Sequence, residues 1–172
     1  VNAIFAEANA LDKEYTRRAA GAAVQAVLQR MENVARDNAL WDDAIRNSYE
    51  PLNEPWAYEA WGVGTELGLY NMAFIVNAEG KTIFSYENGK KLDKPIAAVF
   101  GNGLIRLIAR LPQDKTTFAT VSALFKRSKE LFAVTAAPIL PSSDAVSLPQ
   151  ERPNYLVFAK LIDADMLATL AQ

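Results

Sequence analysis

The first fifty residues constrain the fold most. No proline appears before Pro51. Val24, Val27, Leu28, Met31, Val34, Ala35, Asn38, Trp41 and Ile45 recur at spacings of three and four and make one stripe. The single Gly21 costs about 1 kcal/mol against alanine, which a long helix tolerates. The spacing predicts a helix over residues 1–49, and forty-odd helical residues run on the order of 65 Å. A domain of this size is narrower than that, so such a helix is expected to find a partner, either a second subunit or a membrane-proximal stalk. The stripe continues weakly toward Ile4, Leu11 and Tyr15. Its C-terminal half is expected in the core and its N-terminal half at a homodimer contact. Ala19, Ala20, Ala22, Ala23 and Ala26 would permit close helix approach there, although alanine is also simply a good helix former.

The 172 residues suit one domain with a core of its own. With 51% hydrophobic and 22% charged residues the chain has an ordinary globular balance, which argues against disorder. A net charge of −2 gives no electrostatic reason to expect nucleic acid. There is no cysteine and no histidine. That removes disulfides, zinc thiolates, thiol nucleophiles and the commonest general base. Carboxylates, lysines, tyrosines and hydroxyls remain. No apolar run reaches the ~18 residues of a membrane span, and no signal peptide opens the chain. Val1 is not an initiator residue, so the chain reads as a piece of a longer protein.

After Pro51 the pattern changes. Asn53-Glu54-Pro55 breaks the helix, and a loop region or short helix follows, with Trp56, Tyr58, Trp61 and three glycines. LYNMAFIVNAEGKTIFSYENGK predicts a β-hairpin: a strand from Tyr70 to Val76, a turn at Asn77–Gly80 and a return strand from Thr82 to Tyr86. Asn88-Gly89 is a further turn signal. Asp93 is expected to cap a helix running to Leu111 and interrupted at Gly101-Asn102-Gly103. Two β-rich runs flank Lys126–Glu130, a proline- and serine-rich surface loop spans Pro141–Pro153, and NYLVFAKLI is a last strand. Asp163 then caps a short C-terminal helix ending at Leu170. Long helix, hairpin, helix and three antiparallel strands is the order of a PAS-like sensor core. The expected class is α+β, a five-stranded antiparallel sheet with the long helix packed on it. The single domain would divide into the helix at 1–49, the core at 69–162 and the C-terminal helix at 163–171.

Four places carry a family resemblance. The long helix ends in Trp41-Asp42-Asp43 followed by the aromatic Tyr49. Asn71 opens the first hairpin strand in NMAFIVNAEGKTIFS, and Gly80 ends its turn. A strand runs into Ala-Ala-Pro-Ile at Ala136–Ile139, before a variable loop and a final strand leading to Leu161-Ile162-Asp163. The ordered set covers nearly the whole chain and resembles the extracytoplasmic CHASE sensor domains of the fourth class. The chain departs from the family at Asn77, where an Asp is common, and at Phe158-Ala159-Lys160, where small residues are common. The resemblance implies a place outside the cytoplasmic membrane, in the periplasm, between two transmembrane helices of an inner-membrane protein. It implies cytoplasmic output modules: GGDEF and EAL domains that make and break cyclic di-GMP, or histidine kinases. Signals would pass through the terminal helices.

The chemistry-bearing residues read as follows. Neighbouring helical residues point about 100° apart, so Asp42 and Asp43 cannot converge as a general acid/base pair. A metal site would need further oxygen ligands that the sequence does not cluster. Trp41, Asp42 and Asp43 therefore read as a structural anchor, with the indole against the sheet and one Asp bonded to backbone or to an Arg. An Asp lining a ligand pocket is the other reading. Trp61, Tyr70, Asn71, Phe84, Tyr86 and Arg106 are the candidate ligand-binding set, an apolar wall with a few polar groups. The alternative for the aromatics is an ordinary core, and for Arg106 the exposed face of its helix. Gly101-Asn102-Gly103 is too short for a phosphate-binding loop. No catalytic residue, metal or cofactor is expected. The leading function is a non-enzymatic sensor for an unknown small molecule. A dimerisation module without a ligand comes second, and a small enzyme using carboxylates alone third.

Overall fold

A computed structural model of the chain describes residues 2–166, with side chains for Glu14 and residues 17–166. The chain begins with α1 (Asn2–Ala39). Its buried stripe is Ala23, Val27, Met31, Ala35 and Ala39, one residue per turn. The helix expected over 1–49 is broken at Leu40–Trp41. Trp41 is extended (φ −160°, ψ 124°), and a separate helix α2 (Asp42–Asn47) starts after it. Hydrogen bonding explains the break. Leu140 donates its N–H to the carbonyl of Ala39, and Trp41 donates to the carbonyl of Leu140. The end of α1 is thus held by a strand-like bridge that no local propensity announces.

Three short pieces follow: α3 (Glu54–Ala57), a π-helical turn at Tyr58–Gly62 and α4 (Val63–Leu67). Asn53 caps α3 by accepting from the Trp56 N–H, and Pro55 fits the first turn. The first hairpin is β1 (Met72–Val76) and β2 (Thr82–Glu87). Asn88 and Gly89 both have positive φ, as a two-residue type I′ turn requires, and they lead into β3 (Lys90–Lys91). This two-residue strand makes the sheet six-stranded where five strands were expected. It is too short to leave a periodic signal. Helices α5 (Ile96–Phe100) and α6 (Asn102–Ile108) meet at Gly101, whose φ of 78° ends the first. Asp93 does not cap α5. The orphan N–H of Ile96 goes to Thr82 Oγ1, 2.9 Å away on β2. The remaining strands are β4 (Val121–Arg127), β5 (Glu130–Pro138) and β6 (Tyr155–Leu161).

All ladders are antiparallel, in the order β3-β2-β1-β6-β5-β4. The central strands β1 and β6 are buried on both faces, which is why they read as continuous apolar runs. On one face α1 and α2 cover Ala73, Ile75, Ala133, Ala137, Leu156 and Phe158. On the other α5 and α6 cover Met72, Phe74, Phe132, Val134 and Val157. Phe100 stands edge-on to Phe74 and Phe132 at 6.4 and 5.5 Å. The second face is concave. Arg127 of β4 pairs through both guanidinium nitrogens with Glu87 of β2, at 2.9 and 2.7 Å, although three strands separate them in the sheet. Only a strongly curled sheet lets these side chains meet across roughly four strand spacings of about 4.8 Å. Both partners are half-buried, so R127A is expected to cost about 1–2 kcal/mol in urea denaturation, between exposed and buried ion pairs.

Where the chain enters and leaves the sheet follows from contacts along α1. Arg36 lies over the Phe118 ring just before β4, and Glu32 accepts from Ser122 within it. Moving toward the start of α1 therefore runs along β4 toward its C-terminal end. That is also the end where β6 finishes and Asp163 caps the next helical turn by accepting from the Met166 N–H at 2.7 Å. The chain is helical at 164–166, and the rest of the expected C-terminal helix lies outside the described residues.

Candidate functional site

The six candidate ligand residues do not form one site. Trp61, Tyr70 and Phe84 lie in the closed core on the α1 face, at most 2% exposed. Tyr70 stacks on Phe158 with ring centres 3.9 Å apart, and its hydroxyl donates to the Trp61 carbonyl at 2.7 Å. Burial pushes the Tyr70 phenol well above its ordinary pKa. Tyr86 is half-buried between Phe84 and Tyr58, and burial raises its pKa, with Glu54 adding to this. The Trp61 indole N–H is buried without a hydrogen-bond partner among the described residues. Asn71 acts on the ladder: its side-chain oxygen accepts from the Leu161 N–H, and its own N–H goes to the Ala159 carbonyl. Arg106 is exposed on α6, on the opposite face of the sheet.

Trp41, Asp42 and Asp43 have separate contacts. The Trp41 ring lies 5.1 Å from Trp56, which in turn meets Trp61 edge-on. Asp42 reaches across to the loop after β5. One carboxylate oxygen accepts from the N–H groups of Ser142 and Ser143, at 2.8 and 3.1 Å, and the other from the Ser143 hydroxyl. These bonds, with the Ser143 hydroxyl first, hold the Asp42 pKa below its ordinary value. Asp43 pairs with Arg46 one turn on. Asp114 does a similar job in its loop: bonds from Thr117 and Thr116 lower its pKa to about 2. Both are depressed carboxylates, so their contribution is present above about pH 4 and is lost as pH falls through the lowered folded-state values. Acid unfolding followed by fluorescence should therefore shift to higher pH in D42N and D114N, measured against wild type.

A cleft that opens to solvent on the concave face lies elsewhere, one of several among the described residues. It holds about 250 Å³ between the β1–β2 turn, α6 and the start of β6. Val76, Ile105, Ile108 and Ala109 give it an apolar floor, and Asn77, Glu79, Gln113, Arg152 and Tyr155 supply polar groups. Asn77 is committed to the turn: its oxygen accepts from the Glu79 and Lys81 N–H groups, and its amide donates to Glu50. Glu79 and Arg152 face each other across the rim at 3.7 Å, too long for a good hydrogen bond. Tyr155 is 2% exposed, and its hydroxyl is 3.5 Å from the Pro112 carbonyl, again a poor bond. Burial raises its pKa, so it remains a neutral donor. Sequence reading missed this set because it comes from three separated segments, none with a periodic or motif signal. Asn77–Gly80 read only as a turn, and Arg152 only as part of a surface loop.

Among the described residues, no group of three or more carboxylates converges on a metal-sized site. No helix there is long and apolar enough to cross a membrane.

Comparison with known proteins gives three findings. No curated protein sequence matches the chain. Among solved structures, the extracellular domain of vpHK1S-Z8, a protein assigned as a histidine kinase, superposes with a TM-score of 0.49 at 15% identity. The superposition covers 95% of this chain and 62% of the other, so the chain spans less than two thirds of that structure's length. The model of the CHASE4 domain matches residues 23–172, beginning at Ala23, the first buried residue of α1 among those whose side chains are described. The chain belongs to the CHASE4 domain family of sensor domains in signalling proteins.

Proposed function

We propose that the chain is the extracytoplasmic, non-catalytic sensor part of a membrane-anchored bacterial signalling protein, in the periplasm where the cell has one. Its output would be a cyclic di-GMP enzyme of the GGDEF or EAL type, or a histidine kinase. The ligand is a small molecule held in the cleft of the concave face. The observation that carries this reading is the position of the cleft. It lies at the end of the sheet where β1 ends and β6 begins, whereas α1 arrives and β6 leaves at the opposite end. A ligand that prefers one arrangement of α6 and the hairpin turn would bias a sheet whose far end carries both terminal helices. Family membership supports the setting.

The test is a thermal-shift screen of the 172-residue chain against pooled metabolites, with I108W as the blocked control. A ligand at 100 times its Kd stabilises by about 2.7 kcal/mol, an increase of several degrees at this size. A shift seen in wild type and lost in I108W supports the sensor. Flat curves at millimolar ligand favour the second reading, a dimerisation module working through α1. In either reading the homodimer would form through the part of α1 before Ala23, where Arg17, Arg18, Gly21 and Ala22 are exposed. Sedimentation of A22E is expected to show a monomer where the wild type sediments as a dimer, with helix content unchanged.

A further inference from the structure

We propose that the cleft ligand is a zwitterion with a short aliphatic side chain, an apolar α-amino acid or a close analogue. This rests on the sensor reading above and deepens it. Three features of the lining point to that chemistry. The first is the pair of opposite charges at the rim. Glu79 and Arg152 lie on separate segments, the β1–β2 turn and the loop before β6, and meet only at 3.7 Å with both side chains well exposed. A pair held this loosely contributes little to folding, and opening it costs little. A ligand that brings one ammonium and one carboxylate replaces a poor contact by two charge-assisted hydrogen bonds. A simple acid leaves Glu79 facing a like charge, and a simple amine does the same to Arg152.

The second feature is Tyr155. The residue is buried, its hydroxyl stays protonated and takes a hydrogen bond from the Gln113 amide, and as a donor it reaches the Pro112 carbonyl at a long 3.5 Å. A buried donor without a good acceptor is uncommon. A ligand carboxylate between Arg152 and Tyr155 would supply that acceptor. The third is the floor. Val76, Ile105, Ile108 and Ala109 offer apolar surface with no polar atom of their own side chains. The volume, about 250 Å³, is below the range of roughly 300–1,000 Å³ for drug-sized ligands, which suits a small metabolite. A charged or hydroxylated side chain on the ligand would meet no partner on this floor.

Three probes that differ by one group decide the matter: leucine, 4-methylpentanoate, which lacks the amino group, and 3-methylbutylamine, which lacks the carboxylate. Isothermal titration of the 172-residue chain is expected to show leucine binding at least about tenfold more tightly than either deaminated or decarboxylated probe. R152Q should weaken leucine about tenfold or more, and E79Q should bring leucine and 4-methylpentanoate close to equal affinity. Y155F should weaken leucine with far-UV dichroism unchanged. Glu79 and Arg152 are exposed, so both variants are expected to fold, which keeps a loss of binding interpretable. Equal binding of leucine and 4-methylpentanoate by the wild type overturns the zwitterion assignment. So does failure of leucine, valine and isoleucine to bind at all. If another ligand class then shifts the wild type and not I108W, the sensor reading survives without this assignment. If nothing shifts it, both fall.

Discussion

Phe158→Ala should lower the stability of the domain by about 3–5 kcal/mol. Phe158 is fully buried on β6, the strand between β1 and β5 at the centre of the sheet. Its ring stacks on Tyr70 at 3.9 Å and 15°. It sits under the α1 face together with Ala73, Ile75, Ala133 and Leu156. Removing it leaves a cavity that neighbours on two central strands cannot collapse into without breaking ladder bonds. Urea denaturation should show the loss as a lower midpoint with the slope unchanged, and Tm should fall on the order of 10 °C. Phe158→Leu, which keeps much of the volume, should lose distinctly less. A loss below about 1 kcal/mol for Phe158→Ala would mean that the ring is not in a closed core. Tyr70 and Trp61 would then be available to a ligand after all.

Gly64→Ala should also destabilise, by about 2 kcal/mol, against the usual trend for glycine in a helix. In an exposed helix the exchange gains up to about 1 kcal/mol. At Gly64 the new Cβ would sit 2.6 Å from Cζ of Tyr70 and on its hydroxyl. The far end of a tyrosine can usually move away. Here it is held by its bond to the Trp61 carbonyl and by the stacked Phe158 ring. Overpacking of this kind costs about 1–3 kcal/mol or more, which outweighs the helix gain. Gly21→Ala is the control. Gly21 lies on α1 with nothing within 4 Å of the position its Cβ would take, so the exchange should be neutral or stabilising. If Gly64→Ala proved as benign as Gly21→Ala, the close approach of Tyr70 to α4 would be wrong.

Much of the fold was legible in the residues because the signals are local. The one-per-turn stripe of α1, the apolar run of β1 and the turn residues at Asn77–Gly80 and Asn88-Gly89 each fix their own segment. Ser128, with φ of 54°, and Lys129 likewise make the turn between β4 and β5 that Lys126–Glu130 announced. What misled was long-range. The break after Ala39 comes from Leu140, a hundred residues later. The cap of α5 comes from Thr82 on a strand, although Asp93 stands at the expected place in sequence. The aromatics near the hairpin looked like a ligand wall because their chemistry suits one. Composition cannot tell a closed aromatic core from an open one, since both need the same side chains.

The sequence by itself determined the class of the protein, the long N-terminal helix and the hairpin–helix–three-strand order, because periodicity and turn chemistry act within a few residues, and its ordered motifs carried the family resemblance that the family match bears out. It also determined that histidine and cysteine chemistry is absent. Only the tertiary structure decided which aromatic residues are sealed and where the cleft opens. It also decided that Asp42 holds the loop after β5 and that Arg127 closes one end of the concave face onto Glu87. Each of those depends on the curl of a six-stranded sheet, which brings together side chains far apart in the chain, and the curl is a property of the assembled strands that no single segment encodes.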